Sequence, residues 1–279
     1  MPDLLMLYYI IWDVRPEVFP WTGVPRWYGV FWAIGVLLSI TATRYIFNNE
    51  KRPSDEVDKL TIYLMIGALI GARLGHVLFY DPAYYWQHPI EILPVSLNPA
   101  FHFTGLAGLA SHGGGMGLIT SAFIFARRKK LDFIWLLDRI AIVVPLCGAF
   151  IRLGNLMNSE MIGIPSNMVW AFVFTSVDNV PRHPAQLYEA IYCGILFAVM
   201  LYLWRRKRDH WRNGTLFGVM ITILFSLRFL DEFFKVNQES FENSMMLNMG
   251  QILSIPFILI GLITIAFRHH VSAHDSQQS

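Results

Sequence analysis

Charge is scarce in this sequence: Asp, Glu, Lys and Arg make up 15% of its 279 residues, against roughly 25% in a soluble domain. The missing charge is replaced by apolar side chains, 54% of the total, gathered in long runs. Cysteine is scarcer still. Cys147 and Cys193 are the only two, and both stand inside apolar runs. That excludes a disulfide framework and a cysteine-based zinc site and leaves them as small packing residues. Lysine and arginine are absent altogether from residues 81–107. The first residues, 1–12, lack a basic n-region and a small-residue cleavage site, so no cleaved leader is expected. No internal repeat is visible, which argues against a repeat-built transporter. Net charge is only +2, with the basic residues clustered between the apolar runs, so no nucleic-acid partner is expected.

What is present is length in the apolar runs. A helix needs about 20 mostly apolar residues to cross the hydrocarbon core, and seven segments qualify: 27–47, 60–80, 108–126, 131–155, 184–204, 215–234 and 247–267. The fold expected is therefore an all-α polytopic membrane protein of about seven transmembrane helices with short outer elaborations. Residues 1–279 read as a single integral membrane domain, with outer-face loop segments at 81–103 and 156–183 and a tail at 270–279. Pro184 suits the start of a helix, whereas Pro256 is expected to kink or locally break its span.

The connections set the orientation. Arg44, Lys51, Arg52 and Lys59 come at and after the end of the first span, Arg127, Arg128, Lys129 and Lys130 after the third, and Arg205, Arg206, Lys207, Arg208 and Arg212 after the fifth. The alternate connections carry almost none: Arg182 alone in 156–183 and Lys235 alone between the last two spans. Basic residues stay on the cytoplasmic side, which puts the N-terminus outside and the tail inside. Tyr84, Tyr85, Trp86 and Trp170 then fall in the outer loops, where amphipathic rings favour the interface.

With direction assigned, the polar residues acquire depth. Tyr28, Arg73, His112, Arg152, Asn155, Glu160, Gln186, Glu189, Arg228, Glu232 and Gln251 all fall in the outer half; only Asp138–Arg139 lies nearer the inner side and reads as a structural pair. A charge at mid-bilayer costs at least about 2.5–3.5 kcal/mol. Several on different helices therefore need partners, water or a ligand, and one polar cavity opening to the outer leaflet meets that need. Structural ion pairing is the alternative.

Spacing refines this. Arg152 and Asn155 share a helix face, and Arg228 and Glu232, four apart, are placed to pair. Two arginines on separate helices suit a phosphate, since each planar fork donates two hydrogen bonds at once. His112, in Ser-His-Gly-Gly-Gly, is of the type that accepts a proton near neutral pH or that merely bonds helix to helix. The glycines after it admit either a substrate or another helix. Gly154, between Arg152 and Asn155, admits a lipid or serves helix packing. Tyr188 and Trp27 read as interface anchors.

Seven segments, in order, resemble prolipoprotein diacylglyceryl transferases: Arg-Trp-Tyr-Gly at 26–29, Gly-Ala-Arg-Leu-Gly-His at 71–76 and Ser-His-Gly-Gly at 111–114. Then come Phe-Ile-Arg-Leu-Gly-Asn-Leu-Met-Asn-Ser-Glu at 150–160 and Pro-Arg-His-Pro-Ala-Gln-Leu-Tyr-Glu at 181–189. Leu-Arg-Phe-Leu-Asp-Glu-Phe-Phe at 227–234 and Met-Gly-Gln-Ile-Leu-Ser-Ile-Pro at 249–256 complete the set. The resemblance spans nearly the whole chain apart from the tail. It implies transfer of a diacylglyceryl group from phosphatidylglycerol to the lipobox cysteine thiol of a preprolipoprotein, forming a thioether and releasing glycerol phosphate. It further implies a bacterial cytoplasmic (inner) membrane enzyme of lipoprotein biosynthesis, with its active site toward the outer leaflet and no cofactor or metal.

By the same resemblance His112, Arg152 and Arg228 are the catalytic residues. Tyr28, Arg73, Asn155, Gly154, Glu160, Gly163, Glu189 and Glu232 are expected to bind substrate. One position departs: the family's tyrosine four residues before the second arginine is Leu224 here. Three rival classes fit less well. A lipid flippase needs a polar path through the inner half, which is nearly devoid of ionisable groups. An intramembrane serine protease needs a Gly-x-Ser-x setting with a paired histidine. A metal-dependent phosphatidyl transferase needs clustered aspartates within one span.

Overall fold

The computed structural model describes residues 9–80, 82–93, 95–96, 102–103, 108–237, 242 and 244–275. The expected leader-free start at 1–8, parts of the loop at 81–103 and the last four residues of the tail lie outside them. The helices are α1 (Trp27–Asn49), α2 (Asp55–Phe79), α3 (Pro82–Gln87), α4 (Ser111–Lys129), α5 (Phe133–Met157), α6 (Ala185–Lys207), α7 (Thr215–Asp231) and α8 (Met249–Asp275). The strands are short: β1 (Ile10–Trp12), β2 (Val95–Ser96), β3 (His102–Phe103), β4 (Phe172–Phe174) and β5 (Pro181–Arg182). The protein is thus mostly helical, as a chain of long apolar runs must be where backbone groups have no water to bond.

Among the described residues, five helices are long and apolar enough to cross a membrane: α1, α2, α5, α6 and α8 as far as Phe267. The other two expected spans form helices too. α7 has 17 residues, short of the usual span, and the four glycines of α4 dilute its apolar character. Pro256 does not break its helix, since α8 continues from Met249 to Asp275 with the proline inside. A proline forfeits one intrahelical bond, a loss that packed helices tolerate.

Helix ends follow electrostatics. α2 opens with Asp55, Glu56 and Asp58, while α4 closes on Arg127, Arg128 and Lys129 and α6 on Arg205, Arg206 and Lys207. Acid at the N-terminus and base at the C-terminus both favour the helix dipole. α8 begins with a capping box: Gln251 N donates to Asn248 Oδ1 over 2.9 Å, and Asn248 N donates to Gln251 Oε1 over 3.1 Å. Two otherwise orphaned donors are satisfied reciprocally.

The chain forms two compact units, one drawing on Met1–Thr43 and Leu137–Ser279, the other on Arg44–Leu136. In the second unit α2 and α4 meet through glycines. A Cβ on Gly71 would lie 2.8 Å from Gly117 Cα, and one on Gly75 would lie 2.8 Å from Gly113 Cα. The backbones therefore touch, as small residues every fourth position allow between membrane helices. This decides part of what the glycines after His112 admit: Gly113 and Gly117 admit α2, while Gly115 faces open space.

In the first unit α6, α7 and α8 pack in sequence, with Phe225 and Phe257 stacked at 4.3 Å. The loop at 156–183 supplies β4 and β5 to a sheet of order β1-β4-β5, in which β1 from the N-terminal segment runs parallel and β5 antiparallel to β4. Trp12 Nε1 donates to the Leu156 carbonyl at 3.1 Å, fixing that sheet to the end of α5.

Candidate functional site

The first unit gathers most of the expected site residues at the end of α5, the start of α6 and the end of α7. Arg152 projects from the last turns of α5, and its Nε lies 2.6 Å from Glu189 Oε2 on α6. Its NH1 donates to Asn155 Oδ1 at 3.2 Å, as their shared face predicts. Asn155 Nδ2 in turn donates to Glu160 Oε2 at 3.0 Å, and Asn158 Nδ2 to Glu160 Oε1 at 3.2 Å. Gln186, fully buried, donates to the Glu160 carbonyl. Glu160 thus aims the Asn155 amide, which in turn bonds the arginine.

Arg228 stands 3.9 Å from Glu232 Oε1. The pair forms at the expected four-residue spacing, but it is long, because Glu232 is engaged elsewhere. Asn248 Nδ2 donates to Glu232 Oε2 at 3.2 Å. A Cβ on Gly250 would lie 2.5 Å from Glu232 Oε1, so only glycine lets that carboxylate sit against the first turn of α8. A carboxylate is favoured there by the helix dipole. The Met-Gly-Gln segment is explained by this contact and the capping box together.

The residue that sequence reasoning missed is Lys235. It is buried, and its Nζ lies 2.5 Å from Glu189 Oε1, 3.1 Å from Asp231 Oδ2 and 3.2 Å from Glu232 Oε1. The available signal was local: Asp231 and Glu232 stand four and three residues before Lys235, the spacing of ion pairs on a helical turn. The salt-bridge chain runs Arg152–Glu189–Lys235–Glu232–Arg228. With Asp231 also on Lys235, three cations meet three carboxylates, so the members are paired, as buried charges must be.

The remaining expected residues take other places. Tyr28, in the first turn of α1, fills the space over Gly154, where a Cβ would meet its Cδ2 at 3.0 Å and its Cα at 3.1 Å. Gly154 therefore admits a helix, not a lipid. At Gly163 a Cβ would meet His183 Cβ at 2.6 Å and the Phe234 carbonyl oxygen at 2.7 Å. Tyr188 does not merely anchor at an interface: its hydroxyl accepts from Trp170 Nε1 at 2.9 Å and bonds His183 Nδ1 at 3.0 Å.

Arg73 and His112 belong to the second unit. Arg73 directs Nε to the Ile92 carbonyl at 2.8 Å, NH2 to Glu91 at 2.5 Å and NH1 to Gly108 at 3.2 Å, with Tyr85 beneath its guanidinium at 5.1 Å. These donors hold backbone together. His112 occupies the first turn of α4; its side chain lies outside the described residues. No group of three or more His, Cys, Asp and Glu residues able to hold a metal occurs among the described residues.

Two arginines are thus held on separate helices by buried carboxylates. A family model described as prolipoprotein diacylglyceryl transferase matches residues 18–267. The chain belongs to that family. The transferase of Bacteroides fragilis, named phosphatidylglycerol–prolipoprotein diacylglyceryl transferase, is 48% identical over 266 residues, 94% of this chain and 96% of its own. Proteins of the same name from Chloroherpeton thalassium and Porphyromonas gingivalis are 44% and 39% identical, over 92% and 91% of this chain and 93% of each relative. The chain is accordingly a transferase of lipoprotein biosynthesis, catalysing diacylglyceryl transfer to prolipoprotein.

Proposed function

We propose that the donor is phosphatidylglycerol, that the acceptor is the lipobox cysteine of a preprolipoprotein, and that Arg152 and Arg228 grip the donor's phosphate. The observation that carries this reading is that the protein takes up each guanidinium in part. Arg152 gives Nε to Glu189 and NH1 to Asn155, and Arg228 meets Glu232 through NH2 at 3.9 Å. The donors left over on each planar fork suit an incoming phosphate.

In the reaction the cysteine thiol gives its proton to His112, directly or through water, because the thiolate is the competent nucleophile. The sulfur attacks the glyceryl carbon bearing the phosphate ester and forms the S–C bond. The C–O bond breaks, and glycerol phosphate leaves with the bonding pair while the two arginines stabilise the charge gathering on its oxygen. Asn155, aimed by Glu160, helps orient the head group. Tyr28 shapes the wall beside Arg152, and Arg73 fixes the outer segment at 89–92 and Gly108.

The setting proposed is the bacterial cytoplasmic membrane, crossed by seven helices as a single integral domain, with the N-terminus outside and the site toward the outer leaflet. The basic residues between alternate spans support that direction. The test is an assay with labelled phosphatidylglycerol and a lipobox peptide. Wild-type protein should leave a thioether-linked lipid on the peptide, and Arg228→Ala should abolish transfer while the protein stays folded. Near-normal turnover by Arg228→Ala removes that residue from the mechanism, and lipid transport without a thioether product overturns the reading.

A further inference from the structure

Arg152 and Arg228 stand on different helices, and no direct contact sets their spacing. What spans the gap is one ammonium. Lys235 Nζ lies 2.5 Å from the Glu189 carboxylate that holds Arg152 and 3.2 Å from the Glu232 carboxylate behind Arg228. Glu189 uses both oxygens, one for each cation. Without Lys235, three carboxylates would share a buried site with two guanidiniums, and each would be drawn toward the arginines. Forks needed for an anion would then be spent on protein.

The backbone carrying Lys235 is held just as closely. Residues 162–164 and 234–236 pair across an antiparallel bridge between Gly163 and Lys235. Ile164 N donates to the Phe234 carbonyl at 2.9 Å, and Val236 N donates to the Ile162 carbonyl at 3.2 Å. On the other side of residue 163 the bond from Gly163 N to the His183 carbonyl, at 3.0 Å, brings in a third segment. Gly163 lies between the two, with no room for a Cβ against either His183 or Phe234. Any side chain there must displace His183 or the Phe234 carbonyl one residue before Lys235.

We infer that Lys235 is a positioning residue that sets the two arginines to receive one phosphate, and that Gly163 serves the reaction through Lys235 and not by touching substrate. This rests on the phosphate grip proposed above. It assigns the geometry of the site to a residue whose own ammonium is surrounded by carboxylates and takes no part in the chemistry.

The experiment uses full-length protein in detergent micelles and reads two quantities: KM for phosphatidylglycerol, and inhibition by free glycerol phosphate, which reports anion recognition without chemistry. Lys235→Met should raise both constants by about tenfold or more, equal to the loss of roughly 1.4 kcal/mol of anion binding, with KM for the peptide unchanged. Lys235→Arg should restore both to within about threefold, because the charge is retained. Gly163→Ala should reproduce the Lys235→Met pattern. Glu189→Gln with Lys235→Met should be no worse than the poorer single variant, the mark of residues acting as one unit.

If Lys235→Met fails to fold, Asp231→Asn combined with Lys235→Met removes a carboxylate along with the ammonium and carries the same reading. Unchanged glycerol phosphate inhibition in a folded lysine variant overturns the inference, as does strict additivity with Glu189→Gln. Failure of the wild-type protein to form a thioether product would instead sink the proposed function, so the two are separable.

Discussion

Glu189 divides its carboxylate between two cations, Oε2 to Arg152 Nε at 2.6 Å and Oε1 to Lys235 Nζ at 2.5 Å. Its side chain is only 3% exposed, so neither contact is diluted by water. Coulombic attraction at this depth is several times its strength at a surface, and the arginine is fixed in orientation as well as in place.

Arg152→Lys tests whether that orientation matters. Lysine keeps the charge but cannot hold Glu189 with one nitrogen and present others to a phosphate. Activity with phosphatidylglycerol should fall by about 100-fold, near 2.7 kcal/mol of transition-state stabilisation, while the melting temperature changes little. The same lipid-transfer assay, run beside a thermal melt, separates the two effects.

Gly117→Leu tests the contact between α2 and α4. A Cβ at this position would lie 3.0 Å from Gly71 Cα and closer still to Gly67 backbone. Overpacking a filled contact costs about 1–3 kcal/mol, and backbone cannot yield as a side chain can. The variant should melt at lower temperature and elute as aggregate on size exclusion, whereas Gly115→Ala, facing open space, should behave as wild type.

Asp138→Ala removes a cap supplied from another helix. Asp138 Oδ2 accepts from Gly214 N and Oδ1 from Phe217 N, both at 2.8 Å, closing the start of α7 with one carboxylate. Loss of such a cap costs about 1–2 kcal/mol. Reduced thermal stability with near-normal activity per folded molecule is expected, since Asp138 stands 14 residues before Arg152 on α5, about 21 Å along the helix axis; Asp138→Asn, which keeps an acceptor, should lose less.

Acidification should loosen the loop at 156–183 through His183. Burial of its ring against Phe234, 5.3 Å away, lowers its pKa below the usual 6.5. The unfolded loop then binds the proton more tightly than the folded one. Stability is therefore full above pH 6.5 and is lost as pH falls from there toward the lowered value. Hydrogen exchange in 162–183 should quicken between neutral pH and pH 5, and His183→Gln should remove that dependence.

The long helices were legible in the sequence because hydrocarbon admits few backbone arrangements. Runs such as 27–47 and 184–204 appear as α1 and α6 with ends shifted by a few residues. The Arg152–Asn155 contact was legible for a related reason: three residues along a helix return to one face. The resemblance motifs were read in the same linear way, and their family is the one the chain belongs to. What composition and spacing do not encode is which helices meet. That Arg73 reaches the carbonyls of Glu91, Ile92 and Gly108, for example, is set by the tertiary fold.

Local chemistry, then, is what the amino-acid sequence determined by itself: apolar length, basic connections, paired residues a turn apart and the motifs of a transferase family. Only the tertiary structure decided that Lys235 joins Glu189 to Glu232, that Tyr28 occupies the room over Gly154, and that Gly250 makes way for a carboxylate. Those facts depend on distances of a few ångströms between segments tens of residues apart. Ion pairing and van der Waals repulsion change sharply over such distances, and sequence separation carries no measure of them.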